Sequence, residues 1–323
     1  MSTFETSSDW TFERLMAPMT AQEFFADYYK KQPLYLPGER DRFASVMSFE
    51  IITALLKQTA VWTTRNLQLV MDKRILEPHE YEQSAGARAA AEHAWVDFGK
   101  AEAWLRQGAS LVLNEIETLG PGLAAIAGVL GKTPGGKVQA NLYYSHRAHQ
   151  AFDVHFDAHD VFALQISGEK RWRIYQRHFV DPIEHPVFKQ LDRQFHYANK
   201  GAMETEVVMK PGDLIYLPSG FYHEALTETD LSIHVTYNPS SMVGLDVISA
   251  LYEAAIHDEL FRQALPQDDD AKLAQRLAGL HGKFGEIIRD PHFVDYLKQV
   301  MAEYTYAHNE ISLPISDKPE TKT

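Results

Sequence analysis

The stretch AFDVHFDAHDVFALQISGEKRWRIY (residues 151–175) decides how this chain folds. It breaks into short runs rich in β-branched and aromatic residues: Ala151–Phe156, Val161–Ile166 and Arg171–Tyr175. A Ser-Gly-Glu-Lys turn signal separates the last two. The same texture extends outward, to Ser110–Leu113 and Val138–Tyr144 before it, and to Glu206–Met209, Leu214–Leu217 and Leu231–Tyr237 after it. Lys-Pro-Gly-Asp and Pro-Ser-Gly-Phe turns punctuate the later runs. Many short strands at this spacing predict a sandwich or barrel rather than βαβ units.

Both flanks change period. Thr20-Ala-Gln-Glu23 has the capping-box pattern and predicts a helix carrying Phe24, Phe25, Tyr28 and Tyr29, stopped by Pro33. Ser48 caps a second helix with Ile51, Ile52, Leu55 and Leu56 on one face. Further helices are predicted at Ala101–Gln107 and Leu123–Leu130. Beyond Asn238-Pro239 they are predicted at Val243–Ala264, Ala271–Ile288 and His292–Tyr304, before a frayed tail. The expected organisation is an N-terminal region of helices and strand (1–100), a β core (101–240), a C-terminal helical module (241–308) and a flexible tail (309–323).

Composition bounds the chemistry. The 323 residues, 45% hydrophobic and 23% charged, suit a soluble globular protein with a sizeable core. No apolar run reaches the roughly 18 residues of a membrane span, and MSTFETSSDW reads as no secretion signal, so the expected place is the cytoplasm. The absence of cysteine excludes disulfides, thiolate zinc sites, iron–sulfur clusters and a cysteine nucleophile. Any metal must be held by His, Asp or Glu. A net charge of −13 argues against direct nucleic-acid binding, which phosphate neutralisation drives, and would favour a basic partner.

The densest set of candidate ligands is His155-Phe-Asp157-Ala-His159. On a strand, His155 and Asp157 would share a face, with side-chain origins within about 7 Å. A second imidazole, His223, follows a tight turn, a strand and a Pro/Gly corner. Two His and one carboxylate make the facial triad of non-haem Fe(II) oxygenases, which leaves three cis positions open. Alone, an H-x-D is common in a chain with 15 histidines and reads first as a hydrogen-bonded pair in a turn. Lys170, on the next hairpin, is either a solvated turn residue or an ammonium directed into the barrel, which would need an anionic partner.

Taken together, these residues resemble the JmjC branch of the 2-oxoglutarate oxygenases, in the cupin superfamily, and most closely its ribosomal oxygenase type. The resemblance rests on Asn141-Leu-Tyr143, His155-Phe-Asp157, Gly168-Glu-Lys170-Arg-Trp172-Arg-Ile-Tyr175, and Pro211-Gly-Asp213 through Tyr216-Leu-Pro218-Ser-Gly220 to His223-Glu224. Phe24 and Lys31-Gln-Pro33-Leu extend it, so that it covers roughly residues 15–240. It implies a mainly β fold with helical flanks, built on a double-stranded β-helix (a cupin jelly roll). It implies His155, Asp157 and His223 as iron ligands, and Lys170 on the distal carboxylate of 2-oxoglutarate. Asn141 and Tyr143 would line the pocket, and Asn238 would lie beside the co-substrate. Ser232, His234, Thr236 and Asn238 share strand parity, so one face of that strand is polar, either toward the pocket or toward solvent.

The implied cofactors are Fe(II), 2-oxoglutarate as co-substrate, and O₂. The implied reaction hydroxylates a side chain of a protein or peptide, such as a basic or ribosomal protein, while 2-oxoglutarate becomes succinate and CO₂. Two features depart from the pattern. Phe152 stands where some JmjC hydroxylases carry a hydroxyl three residues before the first His, leaving Tyr143 or Tyr144 to assist Lys170. The residues after 240 suffice for the dimerisation helices of ribosomal oxygenases but not for a winged-helix domain as well, so a homodimer through those helices is an open expectation. Rival readings are an oxygenase of small molecules, a metal-binding cupin without redox turnover (an isomerase or ligand-binding module), and an inactive partner protein. Succinate release separates the first class from the others.

Overall fold

The computed structural model describes residues 9–83, 94–146 and 150–305. The strands are β1 (Leu34–Leu36), β2 (Leu67–Met71), β3 (Arg74–Ile75), β4 (Ser110–Leu113), β5 (Lys137–His146), β6 (Val161–Ser167), β7 (Lys170–His178), β8 (Met203–Met209), β9 (Leu214–Leu217), β10 (Phe221–Thr227) and β11 (Leu231–Ser240). They form an eight-stranded sheet, ordered β1-β9-β6-β11-β5-β4-β2-β3, facing a three-stranded sheet, β10-β7-β8. Every strand pairing is antiparallel. The helices are α1 (Phe12–Met16), α2 (Ala21–Glu23), α3 (Phe49–Leu56), α4 (Phe98–Arg106), α5 (Pro121–Leu130), α6 (Pro186–Lys189), α7 (Arg193–Asn199), α8 (Gly244–Ala255), α9 (Glu259–Arg262), α10 (Asp270–Arg289) and α11 (Pro291–Glu303). No helix of the described residues is long and apolar enough to cross a membrane.

The period-2 alternation of the large sheet explains where its two cores sit. Phe162, Leu164, Leu214, Tyr216, Ile233, Val235, Tyr237, Ala140 and Leu142 face the N-terminal helices and α5 in the main core. The alternate residues Val161, Ala163, Ile215 and Leu217 meet Trp172, Ile174, Met209 and Phe221 of the small sheet in a second core. Along β5 and β11 the same inward face is polar. The space between the sheets is therefore plugged by apolar side chains on one side and open to chemistry on the other.

The Thr20 capping box forms as predicted: Glu23 N–H donates to Thr20 Oγ1 (3.2 Å) and Thr20 N–H to Glu23 Oε2 (2.9 Å). The helix then widens into a π turn over Phe24–Tyr28. Two expectations are corrected. Ala151–Phe156 is not a strand: it makes a single bridge, His155 to His223, on the open edge of β10. Val243–Ala264 is not one helix, because Asp258 Oδ1 accepts Leu260 N–H (2.9 Å) and caps a separate α9. The expected tail at 309–323 lies outside the described residues.

Candidate active site

The bridge between residues 155 and 223 builds the centre of the site. His155 N–H donates to the His223 carbonyl (3.1 Å) and His223 N–H to the His155 carbonyl (2.8 Å), which sets the ring centroids 4.5 Å apart. Asp157 follows two residues later and is held by its backbone: its carbonyl accepts Gly220 N–H at 2.8 Å and the Ser219 hydroxyl at 3.4 Å. The Pro218-Ser-Gly220 corner needs glycine, since Gly220 has φ +83° and a Cβ there would lie 1.9 Å from the Phe179 carbonyl oxygen. Asp157 Oδ1 then lies 4.0 Å from His155 Nε2, and Oδ2 lies 3.5 Å from His223 Nε2. One donor atom from each of the three falls within 4.8 Å of the others.

The imidazoles are oriented from behind. His155 Nδ1 lies 2.7 Å from the Asp153 carbonyl and His223 Nδ1 lies 2.9 Å from that of Phe221. Carbonyls only accept, so each Nδ1 carries the proton and each Nε2 lone pair is left for the centre. Trp172 stacks on His223 at 5.7 Å and 23°. Burial, helped by the neighbouring His155 charge, pulls His223 down to about 4 and keeps it neutral. Burial works to raise the Asp157 carboxyl, but His155, His159 and His223 together outweigh it and hold the group below its ordinary range. Two imidazoles that turn Nε2 to a common point and one carboxylate, converging this way, suit a divalent transition metal. His159 lines the same cavity but stands outside this convergent group, its Nδ1 3.3 Å from the Asp160 carbonyl.

The cavity holds about 290 Å³ and runs inward from these residues between the two sheets. At its inner end Lys170 is 4% exposed, with Nζ 3.3 Å from both Ser145 Oγ and His234 Nδ1. Desolvation pulls its ammonium down to about 7. Among the described residues no carboxylate lies within ion-pair distance of it, so the solvated-turn reading of Lys170 does not describe this fold. Asn141, Tyr143 and Asn238 all line the cavity. Asn141 Oδ1 accepts Glu115 N–H at 3.2 Å, and Asn238 Oδ1 is buried with no hydrogen-bond partner among the described residues. The polar face of β11 points inward: Ser232, His234, Thr236 and Asn238 are each at most 5% exposed.

The residue that sequence reasoning missed is Ser145. The hydroxyl beside Lys170 is neither Tyr143 nor Tyr144. Phe152 packs edge-on to Tyr143 at 6.0 Å, and Tyr144, of opposite parity, packs against the main core. Strand parity from Asn141 and Tyr143 was the available signal, because residue 145 continues their face.

Comparison with known proteins agrees with this geometry. The family model described as "JmjC domain" matches residues 123–243. Over that segment the chain is similar to JmjC domains. That segment runs from α5 through β11 and contains His155, Asp157, His223, Lys170 and His234. A bifunctional lysine-specific demethylase and histidyl-hydroxylase NO66 of Drosophila persimilis is 28% identical over 274 residues, covering 80% of this chain and 36% of that one. The chain thus spans about a third of the length of this relative. The Bacillus subtilis protein YxbC is 26% identical over 267 residues, covering 78% of this chain and 77% of its own. The chain also shares a fold with Escherichia coli ycfD: TM-score 0.59, 17% identity, 93% of this chain and 76% of the other. A structure of YcfD, titled a ribosomal oxygenase in complex with cobalt and 2-oxoglutarate, superposes with TM-score 0.55 at 17% identity, over 86% and 69% of the two chains.

Proposed function

We propose that this protein is an Fe(II)- and 2-oxoglutarate-dependent oxygenase that hydroxylates a side chain of a protein or peptide. The observation that carries the reading is one cavity with a convergent His155/Asp157/His223 set near one end and a buried, carboxylate-free Lys170 at the other. His155, Asp157 and His223 would hold the metal, and Lys170 the distal carboxylate of the co-substrate. Asn238, whose buried oxygen has no partner among the described residues, would face the bound molecules, beside Asn141 and Tyr143. When bound, iron and 2-oxoglutarate supply the oxidising chemistry: O₂ is consumed, 2-oxoglutarate gives succinate and CO₂, and a substrate C–H becomes C–OH. The chain contributes fixed ligand orientation, a counter-charge and a site closed to bulk water on the Lys170 side.

A side chain presented by a larger substrate fits the surroundings. His159 also lines a second, larger cavity of about 710 Å³ at the rim, walled by Pro182, Ile183, Pro218, Phe221 and Leu245. A second cavity adjoining the site at His159 suits a peptide better than a small molecule enclosed at the centre. The net charge of −13 favours a basic substrate such as a ribosomal protein, and a cytoplasmic site of action is part of the same proposal. A homodimer through the C-terminal helices is part of the same proposal: Tyr252 of α8 and Ile256 at its C-cap are 66% and 42% exposed, and a second copy would cover them.

The test is succinate release from 2-oxoglutarate by purified protein with Fe(II) under air. Wild type should turn over, and His155→Ala and Asp157→Ala should reduce turnover to background while keeping the wild-type melting profile. Wild-type protein that releases no succinate with any basic protein or peptide substrate offered, and none uncoupled, would refute the reading.

A further inference from the structure

A lysine ammonium has three N–H donors, and at the inner end of the cavity two acceptors are already in place, Ser145 Oγ and His234 Nδ1, each at 3.3 Å. For Nδ1 to accept, the ring must be neutral with its proton on Nε2. Burial first, and the adjacent Lys170 charge second, hold His234 well below its ordinary value, in keeping with that state. The ring is also locked in place. Its face stacks on Tyr143 at 4.6 Å and 10°, and its edge meets Trp172 at 5.7 Å and 86°. Its strand, β11, is central, paired with β5 on one side and β6 on the other. His234 is thus a rigid acceptor beside an otherwise flexible cation.

We propose that His234 is a positioning residue for the co-substrate. With Ser145 it takes two of the three Lys170 N–H groups, directs the third toward the distal carboxylate of 2-oxoglutarate, and so fixes the length of diacid the cavity accepts. A diacid longer by one methylene would reach its counter-ion only by displacing the ammonium from His234. The inference rests on the 2-oxoglutarate reading above and adds a residue to it.

The experiment is calorimetric binding to manganese(II)-loaded protein under nitrogen, with four probes: 2-oxoglutarate, 2-oxoadipate, oxaloacetate and oxalate. Oxalate can chelate a metal without reaching Lys170. His234→Phe keeps an aromatic ring and removes the acceptor. His234→Gln is a second loss variant, because its amide reaches the Nε2 rather than the Nδ1 position. His234→Asn puts an amide oxygen near the Nδ1 position. Both loss variants should bind 2-oxoglutarate about tenfold more weakly or worse. They should bind oxalate as wild type does, and show a smaller preference for 2-oxoglutarate over 2-oxoadipate and oxaloacetate. His234→Asn should recover most of the affinity and the preference. Loss variants with wild-type 2-oxoglutarate affinity and unchanged length preference overturn this inference alone. Wild-type protein that binds oxalate but not 2-oxoglutarate overturns the co-substrate reading, and this inference with it.

Discussion

Replacing Lys170 with Met should make the ligand-free protein more stable while removing its grip on 2-oxoglutarate. The side chain is 4% exposed, and burial lowers its ammonium from an ordinary 10.5 to about 7. At about 1.4 kcal/mol per pH step, that gap makes the buried charge cost on the order of 5 kcal/mol. Loss of the bonds to Ser145 and His234 offsets roughly 2 kcal/mol, leaving a net gain of about 3 kcal/mol for Met. The sign with pH is fixed by proton counting. Below pH 7 both folded and unfolded chains hold the proton, and the penalty is fully present. Between pH 7 and 10.5 the unfolded chain holds a proton that the folded one has released, so wild-type stability rises with pH. The advantage of Met is therefore largest below pH 7 and shrinks toward pH 10. The other titratable groups facing Lys170 are His234 from β11, held well below its ordinary value, and Tyr143 from β5, raised to about 12; neither titrates in that window. Urea unfolding followed by tryptophan fluorescence at pH 6.5 and 9.5 measures the stability arm. In the binding arm, a carboxylate left buried without its cation loses about 3–5 kcal/mol, a hundredfold or more in affinity. A variant less stable than wild type at pH 6.5, or one with unchanged 2-oxoglutarate affinity, would refute the reasoning.

Other consequences can be checked separately. Buried Asp213 accepts Lys210 N–H (2.7 Å), the Tyr35 hydroxyl (2.8 Å) and Gly38 N–H (2.9 Å), so Asp213→Ala strands three donors and should cost about 3–5 kcal/mol in chemical denaturation. Gly168 has φ +66° and a Cβ would sit 2.0 Å from the Leu231 carbonyl oxygen; Gly168→Ala should therefore destabilise the β6–β7 turn by about 2 kcal/mol or more, read as a lower melting temperature. Tyr252→Asp combined with Ile256→Asp should convert the proposed dimer to monomer in light scattering while leaving the fold intact, and a wild-type chain already monomeric at high concentration would remove the dimer from the proposal.

Much of the fold was legible because its strands are two-faced. Val161–Ile166 and Leu214–Leu217 are short, almost wholly apolar runs bounded by turn signals, as strands buried on both faces should be, and each carries one apolar set to each core. Terminal helices were legible from caps: Thr20 with Glu23, and Ser48, whose Oγ accepts Ile51 N–H at 3.3 Å. The errors came where composition and pairing part company. Ala151–Phe156 has the texture of a strand, but only His155 pairs, because Asp153 Oδ1 accepts Val154 N–H at 3.0 Å and the carbonyl of Asp153 turns to the His155 ring. Local side-chain bonds there compete with a ladder, as Asp commonly does. The same competition at Asp258 split the helix after β11.

The site was legible in its charges and opaque in its neutral parts. H-x-D, a later His and Lys170 are each ambiguous alone, but together they point to a site, because such groups are expensive to bury without partners. Ser145 and His234 announce nothing: a serine on a strand and a histidine in a polar stripe are compatible with a solvated face. What decides them is register. Tyr143 pairs with His234 across β5 and β11, which puts the ring beside the tyrosine and, one step along the same face, brings Ser145 to the Lys170 ammonium. No residue-by-residue reading of β5 or β11 alone contains that pairing. It follows only once the chain is closed into two facing sheets, where Phe152 fills the space against Tyr143 and His155 and the hydroxyl comes from the neighbouring strand. The hydroxyl that serves Lys170 is therefore supplied across the fold by Ser145 of β5, and not along the chain from the position three residues before His155.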